Sequence, residues 1–446
     1  MLALPLICIS AQAQQQFPQT YSLAEALQRL YQVSDAFSAS AANVRGKQAL
    51  SDASASLRLP EISLDARYLK FQKSLELPLG SLAPVATDYG ISSPLQFSES
   101  DWRLRPSLNV VLPLYTGGKI PAAQAAAAGA LRQADAERRQ QAQILNTQLV
   151  QAYFGEQLAQ KALAVRRDVR DGLTAHLADA QKLERAGLIT KAQRLQATVA
   201  RDTGEREYQK ASNDRDSVVD TLAQLLHSDT PIQGTTPLFV ISTPLDTLRT
   251  FRDAALLQHP QIARLRAVSD QAEQGVRVAQ SEWKPQVFLF GQYDLRRRDA
   301  LLTDSDWVVG IGLKYTFMSN KDRSRQVIAS RSQQELAEAS LREAENQITI
   351  ATTRAWNDVE TARRQFLLLE SAITQAGENL RLQELSFREG QATSLDVIDA
   401  RLTLGGALID RAKAAYSYDI ALAQLLEISG QSGLYDQYVR RADKVL

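Results

Sequence analysis

The residues of this 446-residue chain best placed to do chemistry are two carboxylates, Asp396 and Asp399. They follow a Gly390-Gln391-Ala392-Thr393 turn and open a helical pattern, and their i, i+3 spacing puts both on one helix face. A pair so placed can complement the helix dipole or stay solvated. Where several copies meet, it can hold cations at close quarters. Nothing else in the chain suggests catalysis. His176, His227 and His259 are isolated, without metal-ligand spacing. Gly117-Gly118-Lys119 lacks the upstream glycine and the following Ser or Thr of a phosphate loop. No nucleophile elbow is present, so an enzyme is not expected and neither is a cofactor or a metal site.

The balance of 51 basic and 50 acidic residues offers no basic face for nucleic acid. Aromatics make up 7% and hydrophobic residues 44%, with Ala, Gln, Leu and Arg dominant, the mix of long and closely packed helices. Leu2 to Ile9 is a short apolar run that leads into Ala11-Gln12-Ala13, an A-x-A cleavage pattern, which predicts a signal peptide over residues 1–13. A basic n-region is missing. Cys8, the single cysteine, lies within this run, and its flanks Pro5 and Ile7 do not fit a lipidation site. Export of a chain without disulfides suits a bacterial periplasmic or outer-membrane protein. No later stretch has the apolar length of a membrane helix, so any crossing must use strands.

Periodicity then organises the chain. Ala337, Leu341, Ala344, Ile348, Ala351, Ala355, Val359, Ala362, Phe366, Leu369 and Ile373 step by three or four, the seam of one helix from about 321 to 387. Such a helix would run on the order of 100 Å. A second long helix is predicted from about 119 to 185. Helices return from both, to about 226 and 426, through turns at Ala186-Gly187-Leu188-Ile189-Thr190 and at Glu389-Gly390-Gln391-Ala392. Period-two segments precede each long helix. Ile62, Leu64, Ala66 and Tyr68 alternate with polar residues, as do Trp102, Leu104, Leu108, Val110, Leu112 and Leu114, with a loop expected at about 73–100. Val287, Leu289, Gly291 and Tyr293 alternate, as do Trp307, Val309, Ile311, Leu313, Tyr315 and Phe317.

The two sets recur at an offset of about 200–205 residues, with LAQLL at both Leu222 and Leu422. This duplication divides the chain into residues 14–226, a linker at 227–243, a second repeat at 244–428 and a tail at 429–446. Each repeat supplies two strands of about ten residues, the length of a tilted outer-membrane strand. Four strands cannot close a barrel and an open edge cannot stand in hydrocarbon, so the chain must assemble. Two, three or four copies satisfy the arithmetic.

In this order the duplication, the strand pairs, Pro113-Leu114-Tyr115-Thr116-Gly117-Gly118, His259-Pro260 and the stretch from Gly390 to Ala400 resemble the TolC-like outer-membrane efflux protein family, the outer membrane factors. The resemblance covers nearly all of the mature chain. It implies a homotrimer that is mainly α with a β-barrel portion. Tandem-duplicated coiled-coil helices would build an α-barrel, and four strands per copy a twelve-stranded outer-membrane barrel. The tail would pack around the α-barrel's equator. The implied partners are a periplasmic adaptor, an inner-membrane transporter and outer-membrane lipid, with no nucleic acid. The family's entrance selectivity ring falls on Asp396 and Asp399. Its gate positions fall on Phe387 and Ala392, which replace the usual Tyr and Arg, and on Gln193, where relatives often carry Asp. Arg388, Glu389, Lys191 and Arg194 are then the candidate substitutes. Gly187, Leu188, Thr190, Gly390 and Thr393 are the expected adaptor contacts. Arg67, Arg103 and Arg105 are expected to face the lumen. Within this reading, small-molecule efflux and type I protein secretion stay open, and a soluble exported coiled-coil scaffold is the rival class.

Overall fold

The computed structural model describes residues 19–296 and 305–446. The expected signal peptide, with Cys8, lies outside the described residues. A short strand β1 (Gln19–Tyr21) leads to helices α1 (Leu23–Val33) and α2 (Asp35–Ser54), then strand β2 (Glu61–Leu77), the short helix α3 (Ala83–Asp88) and strand β3 (Leu95–Tyr115). Helices α4 (Lys119–Arg185) and α5 (Lys191–Leu225) form the first long hairpin. Strands β4 (Ile232–Gly234) and β5 (Phe239–Val240) follow, then α6 (Leu248–Gln258), α7 (Pro260–Ser281), and strands β6 (Gln286–Asp294) and β7 (Trp307–Lys314). The second hairpin is α8 (Arg323–Arg388) with α9 (Ser394–Ile428), and α10 (Tyr435–Arg440) and β8 (Lys444–Val445) close the chain.

Two compact units result, residues 46–131 with 268–337, and the remainder, so each unit draws on both halves of the sequence. The first contains an antiparallel sheet in the order β2-β3-β6-β7. Its pairing places Ile62 opposite Val110, Leu64 opposite Leu108, Leu108 opposite Tyr293, and Tyr293 opposite Trp307, which gathers the apolar alternation of all four strands onto one face. That face is open: Ile62, Leu64, Tyr68, Trp307, Ile311 and Leu313 are each 65–70% exposed. The opposite face carries Asp65, Arg67, Arg105, Ser107 and Asn109, with Arg105 paired to Asp294 at 3.3 Å and Asn109 donating to Asp65 at 2.5 Å. Phe288 and Phe290 lie there over Gly312 and Gly310, where a Cβ would meet the rings. Both sheet edges, β2 and β7, lack a partner strand among the described residues.

The strand lengths differ from expectation. β2 and β3 span 17 and 21 residues, whereas β6 and β7 span 9 and 8. The expected loop at 73–100 is strand to Leu77 and again from Leu95, because that stretch still alternates although its pattern is polar. Tyr315 and Phe317 fall just beyond β7.

The other unit is helical and has the largest core. The seam on α8 is realised, with Ala344, Ile348, Ala355, Val359, Ala362 and Phe366 buried. Residues 227–243, expected as a linker, contain two strands: β4 lies parallel to β1, and β5 antiparallel to the tail strand β8. Tyr153 holds this region, donating to the Tyr21 carbonyl at 2.8 Å and accepting from the Thr236 amide at 2.8 Å. Asp419 on α9 is fully buried among Tyr418, Phe239 and Tyr435. Among the described residues one carboxyl oxygen accepts only the Phe239 amide, at 3.4 Å, and the other has no partner. Burial pushes this carboxyl well above the usual range, which favours its protonated form. A raised folded value means stability is lost as pH climbs from the unfolded carboxylate value, about 3.9, toward the folded one. Asp419→Asn should therefore raise the thermal midpoint of detergent-solubilised protein at pH 8, with a smaller gain at pH 4.5. An equal shift at both pH values would show that the carboxyl's ionisation is irrelevant.

Candidate functional site at the helical hairpin turns

Both long hairpins turn by the same device. α4 ends with Gly187 at φ +73°, whose amide donates to the Glu184 carbonyl while the Leu188 amide reaches back to Leu183, both at 2.9 Å. α8 ends with Gly390 at φ +75°, its amide on Phe387 at 3.1 Å and the Gln391 amide on Ser386 at 2.8 Å. These are Schellman caps, and the left-handed residue they need is glycine in both. Three residues on, Thr190 and Thr393 cap α5 and α9, each in a reciprocal box with the third helical residue, Gln193 or Asp396. Ile189 and Ala392, between glycine and threonine, pack into one small apolar cluster with Leu177, Ala180, Ala197, Phe387 and Val397.

This equivalence gives Asp396 a local task. Its carboxylate accepts the Thr393 amide at 2.8 Å and the Thr393 hydroxyl at 2.7 Å. Those bonds hold its ionisation below the usual carboxylate range. Gln193 does the same for Thr190 at 2.9 Å, so a neutral side chain suffices for the cap. Asp399 is exposed on the same helix, one turn on.

The gate candidates separate. Lys191, Arg388 and Glu389 are exposed at the turns. Arg194 pairs with Glu184 at 2.8 Å, across the first turn. The corresponding positions of the second turn, 203 residues later, are Val397 and Phe387, both buried, so an apolar contact stands where the first repeat has an ion pair. Phe387 faces this core, and its ring lies 4.7 Å from that of His176.

His176 is the residue whose place the sequence did not reveal. It lies on α4 beside the core positions Leu173, Leu177 and Ala180, and its Nε2 is 2.7 Å from the hydroxyl of buried Ser394 at the start of α9. Its signal was a histidine at a seam position. Arg401 and Glu384 bond beside it, and a Cβ on Gly172 would collide with the Arg401 guanidinium. A cavity of about 110 Å³ opens here, also lined by Asp179 and Arg388. Beyond the turns, Leu195, Val199, Leu395, Ile398 and Leu402 line an open apolar groove of about 590 Å³ between α5 and α9.

Burial, with Arg401 nearby, lowers the basicity of His176 against the opposing pull of Asp179 and Glu384. Burial alone pushes His259 down to about 4. A lowered folded value means stability present above about pH 6.5 is lost as pH falls below it. The wild-type thermal midpoint should drop between pH 7.5 and 5.5, and His176→Gln, which keeps a partner for Ser394, should reduce that drop. An identical drop in the variant would assign the whole effect to other groups.

The comparisons agree with this architecture. Residues 251–431 match the sequence model of the outer membrane efflux protein family. The alkaline protease secretion protein AprF of Pseudomonas aeruginosa is 22% identical over 308 residues, which is 66% of this chain and 63% of that protein. The crystal structure of the outer membrane protein VceC from Vibrio cholerae superposes with a TM-score of 0.73 at 18% identity, covering 92% of this chain and 96% of that one. The Campylobacter jejuni CmeC outer membrane channel does so with a TM-score of 0.72 at 13% identity, covering 99% and 97%. Residues 251–431 thus carry the signature of the outer membrane efflux protein family, and the chain has the fold of these outer-membrane channels over nearly its whole length.

Proposed function

We propose that this protein is the outer-membrane duct of a tripartite export system, a passive conduit from periplasm to exterior and not an enzyme. One observation carries the reading: a four-stranded sheet whose strands share one exposed apolar face as far as Tyr68 and Leu104, with charged and polar residues on the opposite face and two edges that lack a partner strand among the described residues. Lipid covers such a face and other copies satisfy such edges. Three copies give the twelve strands that leave an aqueous lumen. The helical turns then form the periplasmic entrance, with Asp396 and Asp399 as a ring of six carboxylates. The apolar groove beside Leu195 and Leu395 accepts a helix of a periplasmic adaptor, which in turn joins an inner-membrane pump. Similarity to a protease secretion protein favours a second reading of the cargo, exported protein in place of small molecules. Loss of a secreted protein, without drug sensitivity, in a deletion strain would select it.

Purified protein in a planar bilayer should give a cation-selective conductance blocked by trivalent cations. Asp396→Gln with Asp399→Asn keeps the caps, as Gln193 does, and removes the charge. The double variant should weaken selectivity and raise the blocking concentration by about tenfold with little change in thermal midpoint, whereas Asp396→Ala should also lower the thermal midpoint by opening the capping box. Unchanged selectivity and block would remove the ring. On the sheet, Leu108→Arg should cost about 2–4 kcal/mol and impair assembly while Asn109→Arg is tolerated. Equal tolerance of both, measured by trimer yield in outer membranes, would reverse the assigned faces.

A further inference from the structure

The first β-hairpin changes polarity partway along its length. Up to Tyr68 and Leu104, one face is apolar and the other carries Ser63, Asp65 and Arg67 opposite Asn109, Ser107 and Arg105. The apolar face ends at Tyr68 and Trp102, whose rings stack 5.1 Å apart and 17° from parallel. Past this pair the same face carries Lys70, opposite Trp102 itself, and then Gln72, Ser74 and Glu76, opposite Ser100, Ser98 and Gln96. The other face becomes apolar instead, with Leu69, Phe71, Leu75 and Leu77, and with Phe97 and Leu95 opposite the last two. Toward its base this face also carries charges: Arg103 lies 4.3 Å over the Phe71 ring and bonds Glu99 at 3.0 Å, Glu99 stands opposite Lys73, and Asp101, opposite Phe71, stays exposed. The apolar cluster proper is therefore Leu75, Leu77, Leu95 and Phe97.

Among the described residues no third strand pairs with this region. β3 pairs with β6 only from Ser107 onward, so among the described residues 68–77 and 95–104 pair only with each other, as a two-stranded ribbon. Such a ribbon is marginal alone in water. Leu77 and Phe97 remain 46% and 53% exposed. Contact with lipid would have kept the original apolar face, and water on both sides would have made both faces polar. The sequence does neither. It is apolar only on the side that continues the lumen-facing surface, at the end of the sheet away from the long helices' connections.

We propose that this face packs against the same ribbon of neighbouring copies, closing over the outer mouth as a second constriction. The proposal rests on the ring of copies inferred above. The same edge that must pair with a neighbour, β2, carries the ribbon's apolar residues, so the contact continues that interface. Its polar outer face then meets external water, and the stacked Tyr68 and Trp102 mark the level where lipid ends.

Disulfide cross-linking in outer membranes tests it, because a bond requires Cα atoms within about 7 Å. In a Cys8→Ser background, Leu75→Cys and Phe97→Cys should give covalent dimers under mild oxidation, at least about fivefold more than Ser74→Cys and Gln96→Cys on the other face. Leu75→Asp with Phe97→Asp should raise single-channel conductance without changing block at the entrance. Equal cross-linking from both faces, or none from either in protein that conducts, would overturn the ribbon contact and leave the duct standing. Wild-type protein that forms no channel would overturn both.

Discussion

A sheet edge left open beside an apolar face is the constraint on which the rest of this protein depends. Backbone amides and carbonyls along β2 and β7 need partners, and the exposed side chains of Ile62, Leu64, Ile311 and Leu313 need a medium that is not water. The described residues of a single chain supply neither. Adding strands from the same chain would satisfy the edges, but two hairpins are all the duplication provides. The proposed association is therefore motivated by hydrogen-bond accounting before any function is assigned. Lipid then follows from the continuity of the apolar face, since an aqueous surface of that extent would aggregate.

Duplication also explains how the two helical turns can share a geometry and differ in chemistry. The backbone requirement is the same in each: a glycine in the left-handed region, then a threonine cap three residues later. The side chains that satisfy it were free to diverge. Arg194 and Glu184 close the first turn through charge, and their counterparts Val397 and Phe387 close the second through burial. The second turn thereby draws His176 of α4 against Phe387 and Ser394, tying the two hairpins together with one ring and one hydroxyl.

Much of this was legible in the sequence. Helix limits at 119–185 and 321–387 agree closely with α4 and α8, because an uninterrupted seam and a terminal glycine are local signals. The apolar sides of the strands were legible for the same reason, since period two is unambiguous over Ile62 to Tyr68 and Trp307 to Leu313. The ribbon beyond Tyr68 was not, because its apolar residues change sides and Lys, Ser and Glu dilute them. β4 and β5 were hidden as well. They are two or three residues long and depend on partners more than 200 residues away, β1 and β8, which no local pattern encodes. At the proposed site, the spacing of Asp396 and Asp399 beside a glycine turn is a local signal, while His176 looked isolated because Ser394, Arg401 and Glu384 come to it from the other repeat.

The capping role of Asp396 and its proposed place in an acidic ring are physically compatible, and the cap even prepares the ring. A carboxylate held by an amide and a hydroxyl is already ordered, so binding a cation costs little further side-chain entropy. Two donors on Oδ2 leave the other oxygen available. The same donors, with the helix N-terminus behind them, offset part of the negative charge, which weakens the pull of Asp396 on a passing cation. Asp399, on the same face, exposed and one turn farther from the helix N-terminus, keeps more of its field. If the pair acts as a filter, Asp396 fixes the geometry and Asp399 supplies the larger share of the potential. The first repeat, with Gln193 at the cap, contributes geometry alone.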